Sequence, residues 1–146
     1  MAVRAVSVRP PLWVVVSLVS SPGASLTEGD FLRFDKPLGG RLTVSDQGIL
    51  LPAGRIFKLL ASLRCQVQGE GIGRFRWIVT TGEASVATTD ALVGSAGPGA
   101  SPAAGQSQAH AVVTTTTETT VQLCIATLET LRLLHAEGVA DITEMS

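Results

Sequence analysis

Few side chains in this sequence have the residue types and the spacing that a catalytic or metal-binding site needs. There are two cysteines, Cys65 and Cys124, and two histidines, His110 and His135. A nucleophilic triad needs a histidine placed with a nucleophile and an acid, and no spacing here proposes one. A zinc site needs a ligand cluster such as C-x-x-C, which the sequence lacks. We therefore expect no enzyme activity, no cofactor and no metal site.

The two cysteines are interpreted as buried free thiols, because unpaired cysteine is among the residues most often found in protein interiors. A single disulfide between Cys65 and Cys124 stays open if their strands are neighbours. The glycine-rich run at residues 69–73 joins two extended segments and does not open a helix. We interpret it as a turn, because a phosphate-binding loop needs a helix after it.

The charge pattern argues against nucleic acid and membrane as partners. The formal net charge is −1, so no long-range field attracts the chain to phosphates or to an acidic membrane. Arginines and aromatics alternate at residues 74–77, which in a strand places them on opposite faces. The aromatics then enter the core and cannot stack on bases. Arg74 and Arg76 are left exposed and become candidates for a protein interface.

The elements that position these side chains are best defined at residues 55–81. Within this range, apolar residues occupy the odd positions of 57–67 and 75–79 and mainly polar residues the even ones, as in a strand with one buried face. We interpret 55–81 as an antiparallel hairpin that turns at residues 69–71. The residues expected in the core are Phe57, Leu59, Leu63, Phe75 and Trp77.

Short extended segments with Gly/Pro turns recur along the rest of the chain, at residues 3–8, 12–19, 31–34, 41–44, 48–51 and 139–145. Residues 94–108 contain only Gly, Ala, Ser, Pro and Gln and are interpreted as a flexible loop. We expect one domain over residues 1–146, an all-β jelly-roll-type antiparallel sandwich of about eight to ten strands.

The first 24 residues hold two extended apolar segments joined by Pro10 and Pro11. A charged start and an apolar run also occur in signal peptides, but this run is short and β-branched and favours a strand. The second segment has almost no polar alternation and should need cover on both faces. It is either an internal strand or an arm that adds to a neighbouring sheet. We predict that part of 1–24 contacts another protein, through Val3, Val6, Val8 and Trp13.

A resemblance to a known family adds a functional expectation. Residues 46–63 hold a short strand, a corner at Pro52-Ala53-Gly54 and then a long strand that carries Phe57. This stretch resembles tumour-necrosis-factor- and C1q-like jelly rolls, and the segments 119–123 and 142–145 resemble their closing strands. The resemblance covers roughly residues 25–146. Similar domains occur in phage head fibres and in the cement proteins that decorate tailed-phage capsids.

What the resemblance implies is a structural virion protein on the capsid exterior. Its partners would be the major capsid protein and other copies of itself, as a dimer or trimer. A charged fraction of 16%, against about 25% in an average soluble domain, also indicates a surface that is partly covered by a partner. The alternative is a trimeric fibre-tip or head-fibre domain that binds a host receptor. The small size and the self-contained domain favour the cement protein.

Overall fold

The computed structural model describes residues 10–19, 26–45, 48–94 and 103–145. These ranges contain nine β-strands and no helix. They therefore hold no helical segment long and apolar enough to cross a membrane. The strands are β1 (Trp13–Val19), β2 (Arg33–Gly40), β3 (Thr43–Ser45), β4 (Gly48–Leu51), β5 (Ile56–Thr81), β6 (Ala84–Thr89), β7 (Ala91–Gly94), β8 (Ala103–Thr115) and β9 (Thr119–Met145). The all-β class expected from the sequence is confirmed.

Two long strands, β5 and β9, pair with each other along nearly their whole length and belong to both sheets of the fold. The first half of β5 and the second half of β9 form the centre of a larger sheet, in the order β2-β1-β9-β5-β8-β6. Their other halves carry β7 on one side and β4 with β3 on the other. The two antiparallel sheets form a sandwich of the expected jelly-roll type.

The predicted hairpin at 55–81 is wrong, because β5 is a single strand of 26 residues. Residues 69–71 do not reverse the chain. The ladder between β5 and β9 instead shifts register between Gly69 and Ile72, and Gly71 has a φ of +153°, which glycine adopts at little cost. The buried positions stay odd from Phe57 to Trp77, so a continuous strand and a hairpin give the same alternation.

The core between the sheets is built from the odd residues of β5 and their neighbours. The five residues expected there are confirmed, since none is more than 1% exposed. Trp77 lies on the smaller sheet and stacks on Phe34 of the larger sheet, with 6.2 Å between ring centroids and 15° between planes. Its indole Nε1 donates a hydrogen bond to the carbonyl oxygen of Ala109 at 3.1 Å. Trp77 therefore links the two sheets by packing and by a hydrogen bond.

The prediction of a flexible loop at 94–108 is wrong for the residues of this range that the structure describes, which are Gly94 and 103–108. Gly94 belongs to β7 and pairs with Ile72. Residues 103–108 belong to β8 and pair with residues 62–67 of β5. Small residues have little strand propensity of their own. Their backbone N–H and C=O groups nevertheless form hydrogen bonds with an edge of β5 that would otherwise be unpaired. Residues 95–102 lie outside the described part of the chain.

The strand β1 is internal to the domain. It pairs with β9 on one side and with β2 on the other, so the arm interpretation is wrong for residues 13–19. Its alternate residues Val14, Val16 and Leu18 are buried, whereas the other face is only partly covered. The sequence predicted that both faces of this strand would be covered, but within the domain only one face is fully covered. Residues 1–9 and 20–25 lie outside the described ranges.

Candidate interface

The outer face of the larger sheet exposes several large apolar side chains. Odd residues of β1 and β9 and even residues of β5 and β8 point to this face, because their neighbours fill the core. Five apolar residues there are between 40% and 47% exposed: Trp13, Ile56, Val112, Val139 and Met145. We call this surface the Trp13 face. The register places the polar residues Lys58, Asp141 and Thr143 between them. A surface that mixes exposed apolar and polar side chains in this way is a candidate site for binding another protein.

Trp13 is held firmly at the start of β1. Its carbonyl oxygen accepts hydrogen bonds from the backbone N–H groups of Arg41 at 2.7 Å and Leu42 at 3.3 Å. Its ring lies against Gly39 of β2, where a Cβ atom would come within 3.2 Å of the ring carbon Cη2. The absence of a side chain at Gly39 leaves room for the indole. A large aromatic side chain fixed on a rigid strand is suited to anchor a partner.

The carboxylate of Glu144 also fastens the start of β1 to the sheet. Its Oε1 atom accepts a hydrogen bond from the backbone N–H of Leu12 at 3.1 Å and lies 3.3 Å from Nη1 of Arg55. The backbone N–H of Glu144 donates to the carbonyl of Leu12 at 2.7 Å. These contacts tie the strand that carries Trp13 to β9 just before its first paired residue.

A groove runs into the same face beside Val139. It has a volume of about 430 Å³ and lies between β1, β5 and β9. Small side chains at Ser17 and Ser62 leave its floor open, and Arg64 and Glu137 contribute opposite charges to its walls. Because it combines apolar and charged walls, the groove could accept an amphipathic side chain of a partner.

The two arginines named as interface candidates lie on the other side of the sandwich. Arg74 and Arg76 point outward from the smaller sheet, and Leu92 lies directly opposite Arg74. Arg76 makes two hydrogen bonds of 2.8 Å to the carboxylate of Asp90, and this guanidinium lowers the pKa of Asp90. Asp90 thus neutralises Arg76, which weakens it as a contact for a separate anion.

The candidate residues therefore do not form one site. Trp13 lies on the outer face of the larger sheet and the two arginines on the outer face of the smaller sheet, while Val3, Val6 and Val8 lie outside the described residues. The prediction missed the other exposed apolar residues of the Trp13 face, which are Ile56, Val112, Val139 and Met145. Ile56 could have been noticed, since it is an apolar residue on the otherwise mainly polar parity of 55–67.

Comparison with models of protein families found no match. Comparison with curated proteins found no match either.

The residues that could do chemistry are dispersed over the sandwich. Cys65 on the larger sheet and Cys124 on the smaller sheet are both buried free thiols, as expected, with no disulfide between them. His110 is half-buried on β8, and His135 lies 3.5 Å from the carboxylate of Glu137. Within the described ranges, no three His, Cys, Asp or Glu side chains come together as a metal site.

Cys65 should be almost inert to alkylation in the folded protein. Burial raises the pKa of its thiol from 9.0 to about 12, and the thiolate is the reactive form. At pH 8 its thiolate fraction should fall about a thousandfold below that of an ordinary thiol. We would measure iodoacetamide labelling of a Cys124→Ser variant, folded and in urea. Equal labelling rates in the two conditions would contradict the burial of this thiol.

Proposed function

We propose that this protein is a structural virion protein, a cement protein that binds the outer capsid surface and stabilises contacts between major capsid subunits. The observation that carries the proposal is the Trp13 face, a broad sheet surface whose apolar side chains remain exposed in the single chain. A rigid sheet loses little conformational entropy on docking, so most of the energy of apolar burial is kept. The resemblance to phage capsid-decorating jelly rolls supports the same function.

In this proposal the protein would stabilise the shell by mass action. A ligand that binds an assembled lattice better than its free subunits shifts the equilibrium toward the lattice. Trp13 would fill a pocket on the major capsid protein, and the exposed apolar residues elsewhere on the same face would add buried area to that contact. The low net charge of −1 fits a contact that depends on apolar burial and not on long-range attraction. Nucleic acid and membrane are not partners in this proposal.

Trp13→Ala should weaken binding to purified capsids by about 30-fold or more, the size of a typical interface hot spot. Binding would be measured by cosedimentation with shells that lack this protein. The matched control is Leu92→Ala, which removes an exposed apolar side chain from the opposite face and should leave binding unchanged. If Leu92→Ala abolishes binding and Trp13→Ala does not, the smaller sheet is the contact surface.

The number of copies per particle separates the cement protein from the fibre tip. A copy number that matches the capsid lattice agrees with a cement protein, whereas a handful of copies would indicate a fibre or head-fibre tip. Deletion of residues 1–11 then tests the N-terminal arm. Lost capsid binding with a preserved cooperative melt would place part of the contact in that segment.

A further inference from the structure

The strand β6 forms one end of the larger sheet, and it has the properties of an edge that another strand covers. It pairs with β8 on one side only among the described residues. Its sequence, ASVATT, contains no charge, no proline and no glycine, and five of its six side chains are exposed. Edge strands of monomeric proteins are normally protected by charges, prolines or bulges, because unpaired backbone groups invite association. β6 has none of these protections.

The other strands that end the two described sheets are β2, β3 and β7, and each is less suited to pairing than β6. At the opposite end of the larger sheet, β2 contains Asp35, Lys36 and Pro37, and its ladder with β1 is interrupted by register shifts. In the smaller sheet, β3 has three residues and β7 has four, so both are short. Of these four end strands, β6 alone is both free of charges and prolines and long enough to pair. The part of β8 before His110 also has one neighbour only among the described strands, but it contains Gly105.

Hydrogen bonds at the start of β6 show which way its backbone groups point. The carbonyl oxygen of Glu83 accepts a hydrogen bond from the backbone N–H of Thr116 at 3.0 Å. Glu83 thus directs its carbonyl toward the strand β8. In an antiparallel ladder successive residues direct their backbone groups to opposite sides. The next residue, Ala84, should therefore direct its groups away from β8.

The partner of Ala84 agrees with this alternation. Ala84 lies opposite Thr115, but the N–H of Thr115 donates to Arg55 at 2.8 Å and its carbonyl accepts from Gly54 at 3.0 Å. Thr115 thus faces away from β6, and the two residues form a non-hydrogen-bonded pair. Three residues of β6 direct N–H and C=O groups toward the uncovered side of the sheet: Ala84, Val86 and Thr88.

We propose that β6 pairs antiparallel with β6 of a second copy of this chain, about a two-fold axis at Val86. Opposed residues in such a pair must share a face, and the two members of each hydrogen-bonded pair must both direct their backbone groups to the partner strand. The register with Val86 opposite the partner's Val86 meets both conditions, and it sets Ala84 opposite the partner's Thr88. It makes roughly six hydrogen bonds and brings no like charges together.

The second copy fits this edge because the strand is complementary to itself. Both strands are uncharged, and both supply the same outward-directed groups at the same spacing. The side chain of Val86, which is 39% exposed in the single chain, would be covered by its counterpart across the axis. Pairing would join the two larger sheets into one continuous sheet and leave the Trp13 face of each copy uncovered.

The first test is the oligomeric state of the full chain by sedimentation equilibrium. The wild type should be a dimer, and Val86→Lys should raise the dissociation constant at least about 30-fold, because two lysines then meet at the axis. Leu38→Lys is the matched control, since it places the same charge at an exposed residue of β2 at the far end of the sheet. A wild-type monomer at every concentration, or equal effects of the two variants, would overturn the proposal.

Hydrogen exchange of the wild-type chain provides a test that needs no variant to fold. The amides of Val86 and Thr88 should exchange slowly, with protection that increases with protein concentration. Fast exchange at all concentrations would refute the pairing. Slow exchange that is independent of concentration and is lost on deletion of residues 1–11 would assign this edge to the N-terminal segment and would also overturn it. None of these measurements involves capsids, so failure here is distinct from failure of the proposed function.

Discussion

Trp77→Ala should lower the free energy of unfolding by about 3–5 kcal/mol, the usual cost of deleting a buried tryptophan side chain. Trp77 is 1% exposed, stacks on Phe34 and donates its indole N–H to Ala109. Its removal opens a cavity between the sheets and leaves the carbonyl of Ala109 without that donor. The measurement is urea denaturation followed by circular dichroism.

Two variants show which part of this effect comes from which contact. Trp77→Phe keeps an aromatic ring beside Phe34 but loses the hydrogen bond to Ala109, and should cost less than the alanine variant. Trp13→Ala removes the other tryptophan, which is partly exposed, and should change stability by about 1 kcal/mol or less. Equal losses for Trp13→Ala and Trp77→Ala would contradict the assignment of one tryptophan to the core and the other to the surface.

Gly40→Ala should destabilise the protein by about 2–4 kcal/mol, because backbone strain and steric overlap act together. Gly40 has a φ of +115°, and a Cβ atom there would overlap the carbonyl oxygen of Trp13 and the Cα atom of Val14. Both contacts are with the backbone of β1, which cannot move aside without breaking its ladder with β9. The loss would be measured by the same denaturation experiment.

Gly54→Ala is the matched control for this substitution. Gly54 also has a positive φ, +71°, but a Cβ atom there meets nothing within 4 Å. The control should therefore show only the cost of the left-handed conformation, about 1–2 kcal/mol. If the two variants are equally destabilised, the close approach of β2 to the backbone of Trp13 is not the source of the effect.

The sequence predicted the fold class and the centre of the core because both depend on local alternation. The odd positions of β5 are apolar from Phe57 to Trp77, and that pattern alone places them against a second sheet. The pattern does not distinguish a strand that turns from a strand that continues across two sheets. The start of β8 could not be predicted either, because Ala103 and its neighbours become a strand by pairing with β5 and not by their own propensity.

Part of the candidate interface was also predictable, again for local reasons. Trp13 was identified because it begins an apolar strand. The structure leaves it partly exposed, and its role in a contact stays a prediction. The pairing of Arg76 with Asp90 was not predictable, because these residues are 14 positions apart and meet only once β7 lies beside β5. The same holds for the Trp13 face, whose members come from four strands that the sheet alone brings together.

The central position of β9 has a consequence for how the chain folds. This strand is the neighbour of β5 over nearly its full length and of β1 and β4 on its other side, so both sheets are completed only when it is in place. Pairings such as Ile56 with Met145 join distant parts of the chain, and contacts of that kind make folding slow. During synthesis the smaller sheet cannot close before the first half of β9 has left the ribosome, and the larger sheet cannot close before the second half has. The apolar faces of β1 and β5 must be kept from aggregating until then.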